Sequence, residues 1–428
     1  MQTHIIAARV TFKRQAFAKP LLLSTGAIQF ATQADVVVRA VTDGRAADGR
    51  GCIYLSDLWS WPDPALAHEV RDTAMREYCR FLAARLAAIT GAAAHPLSLG
   101  LRLHHAVVGG GETVGLKANA EPQPSALARA VCASPFDAAI HDAAGRALGL
   151  NAFQLYESAC PIPEADAYFQ GGVCRAIQRL VLRPPRTTSP AWWIVGRNDD
   201  LEKGVRPAVE HGGYFAFKVK IMGQDAHADA ERTAQLAQAA RRWGLPRLLL
   251  SIDSNEANPD AASVLAYLAE LKRLDPAAYD ALVLIEQPTA RDITAHPHDW
   301  HAVAARKPVL LDEGLLALEV MAVAKRQGWS GFALKTCKGH SFALVAAAWA
   351  SQQGLCLSLQ DLTNPGLAAV HAGLFAAYVP TLNGVELNSP QFTPQANRQW
   401  TRRFPGLFGP RDGRLSLPRA SLLGLGTG

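Results

Sequence analysis

Lys218 and Lys220 stand one residue apart in the apolar run FAFKVKI, and downstream Asp253, Glu286, Asp312 and Lys335 each end an apolar run of their own. A side-chain period of two puts both lysines on one face of a strand and Phe217 and Val219 on the other. In SIDSN, LIEQP, LLDEG and FALKTCKG the charged residue comes where strand gives way to loop. Carboxylates gathered with amines in this way read as one metal site flanked by two bases. From Lys220 onward the charged ends follow one another at intervals of 23 to 33 residues. That is the length of one strand-loop-helix-loop unit of a (β/α)8 barrel, in which strand ends converge on one face.

The elements that must position these side chains are legible as short apolar runs. From about Ala191 they are AWWIV, FAFKVKI, LLLSID, LVLIE, PVLLDE, FALK, LCLSL and GVEL, separated by stretches long enough for crossover helices. Continuous apolar runs suit parallel strands buried on both faces. A closed eightfold barrel explains the count better than an open doubly wound sheet, because no Gly-x-Gly-x-x-Gly turn follows an early strand. The chain before this region reads as α+β. HIIAARVTFKRQ and ADVVVRAVT alternate like strands, and a long helix is predicted from Pro64 to Ile89, with Met75, Tyr78, Leu82, Leu86 and Ile89 as its apolar stripe. A second helix is predicted to start at Ser134-Pro135 and stop at Gly149. The last segment, RRFPGLFGPRDGRLSLPRASLLGLGTG, carries no clear helix and is expected to pack back on the first domain or to run along the surface.

At 428 residues and 49% hydrophobic content the chain is long for one compact domain, so two are expected. The net charge of +6 comes from scattered residues, with no run of five or six like charges, which argues against nucleic acid as a partner. Seven cysteines (Cys52, Cys79, Cys132, Cys160, Cys174, Cys337 and Cys356) are odd in number and form no Cys-x-x-Cys pair. They read as reduced, mostly buried thiols. The opening MQTHIIAARVTFKRQ lacks the apolar core of a signal peptide, and no run of 18 apolar residues suggests a membrane span. A cytoplasmic protein with no membrane partner is expected.

The order of KPLLLSTG, ADVVVRAVT, SPFDAAIHDAAGRALG, FKVK, IDSN, IEQP, LDEG, LKTCKG and DGRLSLPRASLLGLG resembles the enolase superfamily, in its mandelate racemase and muconate lactonizing enzyme branch. The resemblance implies an α/β fold: a (β/α)8 TIM-like barrel with an α+β capping domain built from the N-terminal region and the C-terminal segment. The division expected is residues 1–160 for the cap, 161–390 for the catalytic barrel and 391–428 for the returning segment. It further implies that Asp253, Glu286 and Asp312 hold one Mg2+ per subunit, an ion that prefers oxygen donors. Glu313 is the competing fifth-strand ligand. The family's shared step removes a proton next to a carboxylate and leaves an enediolate that the metal stabilises. By the same resemblance Lys220 is one base, and Lys218 binds a carboxylate oxygen and lowers the Lys220 pKa. Lys335, half a turn round the barrel, is the other base, with Lys338 as its competitor. Ser24, Thr25, Trp59 and Trp61 in the capping loops are candidate substrate contacts, joined by Lys338 and Asp361 at the barrel mouth. Asn255 is a further polar candidate, and Glu386 ends the eighth run. A small-molecule carboxylate is the expected partner and a homo-oligomer the expected assembly. Racemisation or epimerisation of a small carboxylate or amino-acid derivative is the first reading. Muconate-type cycloisomerisation and acid-sugar dehydration are the alternatives.

Blander readings stand beside these. Asp253 or Asp312 alone reads more readily as a helix N-cap than as a ligand. The tryptophans fit packing anchors as well as substrate contacts. His371, in AAVHAGLFAAY, reads as a satisfied helical histidine, and the seventh run has no histidine to act as a base. A non-catalytic binding protein on the same fold is the rival of another class. It gives no reason to face an acidic cluster with lysines.

Overall fold

The computed structural model describes residues 1–23, 26–109, 122–157, 160–361 and 363–427. Ser24 and Thr25 therefore lie outside the described residues. The N-terminal part is a three-stranded antiparallel meander, Thr3–Leu23, Gly26–Thr42 and Arg45–Leu55, followed by helices. Along the middle strand Ala34, Val36, Val38 and Ala40 are buried at a period of two, which is how one face of a sheet meets a helix layer. That layer includes His68–Thr90 and Ala126–Leu148.

Both predicted helices differ from expectation at their N-terminal ends. The first begins at His68, with Ala67 in the cap position. Asp63 instead closes a separate turn, accepting from Ala65 N at 2.9 Å. Its predicted stripe is buried throughout. The second helix begins at Ala126, capped by the Ser125 hydroxyl, and runs through Pro135. Proline has no N–H for the carbonyl four residues back. The Ser134 hydroxyl supplies a donor in its place, at 2.9 Å from Val131 O. Gly51 lets the outer strand lie directly on this helix, since a Cβ there would sit 1.8 Å from Pro135 O.

The rest of the chain builds the barrel. Seven parallel strands follow in chain order: Trp192–Val195, Ala216–Lys220, Leu249–Asp253, Leu282–Glu286, Val309–Leu311, Gly331–Lys335 and Cys356–Gln360. The predicted eighth strand, GVEL, is present as a single parallel bridge between Gln360 and Glu386. Glu386 N donates to Leu359 O and Asp361 N to Glu386 O, each at 3.0 Å. Gln391 spans to the first strand, donating to Ile194 O at 2.8 Å and accepting from Ile194 N at 3.0 Å. Helices including Ala226–Arg242, Ala261–Leu274, His340–Gln352 and Gly366–Tyr378 cover the outside. This is the expected (β/α)8 architecture with an N-terminal capping domain.

The C-terminal segment makes both kinds of contact. Arg414–Ser416 pairs with Thr188–Pro190 at the entry to the barrel. Farther on, Leu425 N donates to Asp142 Oδ1 at 2.8 Å and Arg146 donates to the Thr427 hydroxyl at 2.9 Å, which returns the chain to the helix Ala126–Leu148. The segment also holds one helical turn, Pro405–Phe408, that its Gly and Pro content concealed. Among the described residues no helix is long and apolar enough to cross a membrane.

Candidate functional site

Strand register levels the charged ends. Lys220 pairs with Asp253, Asp253 with Glu286, and Lys335 with Gln360. Leu284, Leu310 and Ala333, each two residues before Glu286, Asp312 and Lys335, form their own apolar cluster. The period of two therefore carries the three charged side chains to the same inner side of the barrel. Phe217 and Val219 point the other way, into the large outer core.

The side chains form a row of alternating charge. Lys220 Nζ lies 2.5 Å from Asp253 Oδ2 and 2.9 Å from Asn255 Oδ1. Lys218 Nζ stands between Asp253 and Glu286, at 3.1 and 2.7 Å, and also reaches Glu386 at 3.5 Å. Lys335 Nζ stands between Glu286 and Asp312, at 3.4 and 2.9 Å, and donates to Gln360 Oε1 at 2.9 Å. Lys338 closes the row, donating to Asp312 O at 2.5 Å and Oδ1 at 3.0 Å. Lys220 thus stands at the Asp253 end of the row, and Lys335 stands within it, between Glu286 and Asp312.

Burial sets the cost of this arrangement and neighbouring charges decide the protonation. Desolvation works against the Lys335 ammonium, but Asp312 and Glu286 outweigh it and hold the group above the usual lysine range. Lys218 behaves alike, with Glu286, Glu386 and Asp253 overcoming burial. Burial also opposes the Asp253 and Asp312 carboxylates, yet Lys220 and Lys218 pull the first down and Lys335 and Lys338 the second. Glu286 goes the other way, pushed up by burial against the pull of Lys218. Glu313 is pushed up by burial and then by Asp312.

Asp253, Glu286 and Asp312 suit Mg2+ by chemistry, being buried oxygen donors on successive strand ends. Among the described residues, no three His, Cys, Asp or Glu side chains are grouped so as to hold a metal ion. Lys218 and Lys335 stand between the carboxylates and bridge them. Glu313, the competing ligand, faces the cap: its Oε1 accepts from the Trp59 indole at 2.8 Å, while its buried Oε2 has no hydrogen-bond partner.

Trp59 lies in the one-turn helix Asp57–Ser60, its ring 5.3 Å from Lys335 Nζ and 6.0 Å from Lys338 Nζ. Trp59 and Trp61 are both buried in the apolar core of the cap, and Trp59 also brings the cap onto the charged row. Asp361 is held by the backbone: Oδ1 accepts from Thr363 N at 3.0 Å, and Oδ2 from Asn388 N at 3.0 Å and Asn364 N at 3.3 Å. Burial pushes it up to about 7. His371 is helical and buried as expected, but its Nε2 has no hydrogen-bond partner.

Sequence reasoning missed Gln360 and Arg291. Gln360 joins Lys335 to Glu286, its amide donating to Glu286 Oε2. It ends the run LCLSLQ, where a rule that flags only charged strand ends passes over an uncharged amide. Arg291 grips Glu256 through Nε at 3.0 Å from both carboxylate oxygens and reaches Trp59 O at 3.4 Å. A contact between such distant positions leaves no local signal.

Residues 200–428 match the family model described as enolase C-terminal domain-like. No curated protein matches the chain. Among solved structures, a muconate lactonizing enzyme from Pseudomonas fluorescens complexed with muconolactone is similar over 99% of this chain and 96% of its own, at 20% identity and a TM-score of 0.64. A dipeptide epimerase from Enterococcus faecalis V583, complexed with Mg and L-Leu-L-Tyr, is similar over 99% of both chains at 17% identity and a TM-score of 0.64. An enolase from Bradyrhizobium, complexed with magnesium and mandelic acid, is similar over 100% of this chain and 96% of its own, at 18% identity and a TM-score of 0.60. With its barrel, its capping domain and the matched C-terminal half, the chain belongs to the mandelate racemase and muconate lactonizing enzyme branch of the enolase superfamily.

Proposed function

We propose that this chain is a Mg2+-dependent isomerase that removes a proton next to a carboxylate and returns it, racemising or epimerising a small carboxylate or amino-acid derivative. One observation carries the reading: Lys220 lies on Asp253 at one end of the carboxylate row, and Lys335 lies between Glu286 and Asp312 farther along it, so two amines reach the row at separate places. Asp253, Glu286 and Asp312 are the residues that would hold the ion. When bound, Mg2+ supplies positive charge that favours the charge developing on a substrate carboxylate.

The chain's own part is proton transfer and positioning. Lys220, the more open of the pair with 12% of its side chain exposed against 5% for Lys335, takes the α-proton. The substrate is left as an enediolate. Lys335, kept as an ammonium by its acidic neighbours, gives a proton to the opposite face, and the configuration inverts. The enantiomer runs the roles in reverse. Lys338 holds Asp312 in place, Lys218 joins Asp253 to Glu286, and Trp59 roofs the site against water. The reading takes residues 1–160 and 391–428 as the cap and residues 161–390 as the catalytic barrel. The solved dipeptide epimerase and the mandelate-bound enolase make dipeptides and 2-hydroxy acids the first substrates to try.

The test is deuterium incorporation at the α-carbon of a panel of dipeptides, N-acylated amino acids, 2-hydroxy acids and dicarboxylates in D2O with Mg2+. Exchange with loss of optical purity, suppressed by a chelator, is the expected result. Lactone or 2-keto product without racemisation would replace the isomerase reading with cycloisomerisation or dehydration. No exchange and no product with any acid, while Mg2+ and acids still bind, would leave a binding protein.

A further inference from the structure

Away from the barrel mouth, two thiols that the sequence keeps fourteen positions apart come together. Cys160 Sγ lies 2.9 Å from Cys174 Sγ. We propose that Cys160 and Cys174 form a reversible redox-modification site, closing to a disulfide when the chain meets a peroxide.

Three observations carry this. The first is pre-organisation. Asp166 accepts from Ile162 N at 2.8 Å and from Val173 N at 2.9 Å, so one carboxylate clamps the chain just inside both cysteines. Gly171 and Gly172, with φ of 82° and 84°, make the turn that brings Cys174 back at the start of the helix Val173–Leu180. A disulfide needs its sulfurs at about 2.05 Å, less than 1 Å closer than they already stand, by roughly that measure.

The second is access. Cys160 is half-buried, whereas Cys79 and Cys132, also neighbours, are sealed in the cap core at 0% exposure. Of the two pairs, the first alone includes a residue that is partly exposed. The third is polarity within the pair. The two thiols share one hydrogen bond, and this contact, with help from His95 and against burial, draws Cys160 down to about 5 while it pushes Cys174 up. One sulfur is therefore the nucleophile and the other holds the proton.

The chemistry balances with hydrogen peroxide as the oxidant. The Cys160 thiolate attacks one peroxide oxygen, the O–O bond breaks, and the departing hydroxide takes a proton to become water. Cys174 Sγ then attacks the Cys160 sulfenic acid. The S–S bond forms, the S–O bond breaks, and the oxygen leaves as a second water with the Cys174 proton. Two thiols lose two electrons and two protons, and a dithiol reductant reverses the change. The crosslink would tie the segment leading into the barrel to Val173–Leu180, a helix packed against His340–Gln352, the helix after the sixth strand.

The experiment uses the full chain, reduced and freed of reductant, exposed to graded hydrogen peroxide, then alkylated and mapped by peptide mass. The expected result is one linked peptide pair containing Cys160 and Cys174, undone by dithiothreitol. It should form about tenfold or more faster than oxidation of Cys356, the other half-buried thiol. A Cys174→Ser chain should stop at a Cys160 sulfenic acid that a 1,3-dione probe captures. Recovery of both cysteines alkylated after oxidation of Cys356, or linkage of either one to a different cysteine, would overturn the proposal. The unaltered chain decides between these outcomes even if the variant does not fold.

Discussion

Lys335 Nζ lies 2.9 Å from Asp312 Oδ2, so a cation of the sixth strand is held on the carboxylate that follows the fifth. Each is buried, and neither charge would be tolerated there alone. Lys335→Met leaves Asp312 with Lys338 only and takes one of two cations from Glu286. In a chelator this variant should lose about 3 kcal/mol of stability. Mg2+ should then raise its Tm by more than it raises that of the unaltered chain, because the ion restores charge that the lysine had supplied. Calorimetric scans with and without Mg2+ measure both effects. Equal Tm values in the two conditions for both chains would mean that these carboxylates do not take the ion.

Trp59 and Glu313 join the cap to the barrel through one hydrogen bond of 2.8 Å. Trp59→Phe keeps most of the ring and deletes the donor. Glu313 Oε2 already lacks a partner, so the variant strands both oxygens of a buried carboxyl. The expected cost is about 1–3 kcal/mol, read from urea unfolding. A change within experimental error would show that the cap is held over the barrel by other contacts.

The buried histidines give acid sensitivity that carboxylates alone would not. Burial pushes His340 and His371 down to about 3. Unfolded histidine binds its proton near about pH 6.5. Between those values the unfolded chain takes up protons that the native chain refuses, so this part of the stability is complete above about pH 6.5 and is lost as pH falls. Asp137 acts in the opposite sense: burial raises it to about 6, so its contribution is present at low pH and is lost as pH rises through that value. His371→Leu should flatten the acid limb of stability against pH by about 1.4 kcal/mol per pH unit. An unchanged slope in urea unfolding from pH 6 to pH 4 would contradict the assignment.

The charged strand ends were legible because each interrupts an apolar run, and the barrel then does what the spacing requires. Lys218, Lys220, Asp253, Glu286, Asp312 and Lys335 meet in one row. Residues whose role depends on distant partners were less visible. Glu313 read as a competing ligand because nothing near it in sequence announces Trp59. Gln360 was passed over because it carries no charge. Local signals also misled where one residue type serves two ends: Ser134-Pro135 resembles a helix start, yet the serine hydroxyl covers the carbonyl that the proline cannot serve. Cys160 and Cys174 read as ordinary thiols because pairing at that separation has no motif.

The central claim is that Lys220 and Lys335 serve opposite faces of one substrate, and face-selective exchange tests it most directly. With an acid that the unaltered chain racemises, each enantiomer is incubated separately in D2O with Mg2+ and either Lys220→Gln or Lys335→Gln. Each variant should lose racemisation by about 100-fold or more. Lys335→Gln should still exchange the α-proton of one enantiomer, and Lys220→Gln that of the other. If both variants exchange the same enantiomer, or either racemises at the unaltered rate, the two lysines do not stand as an opposed acid and base.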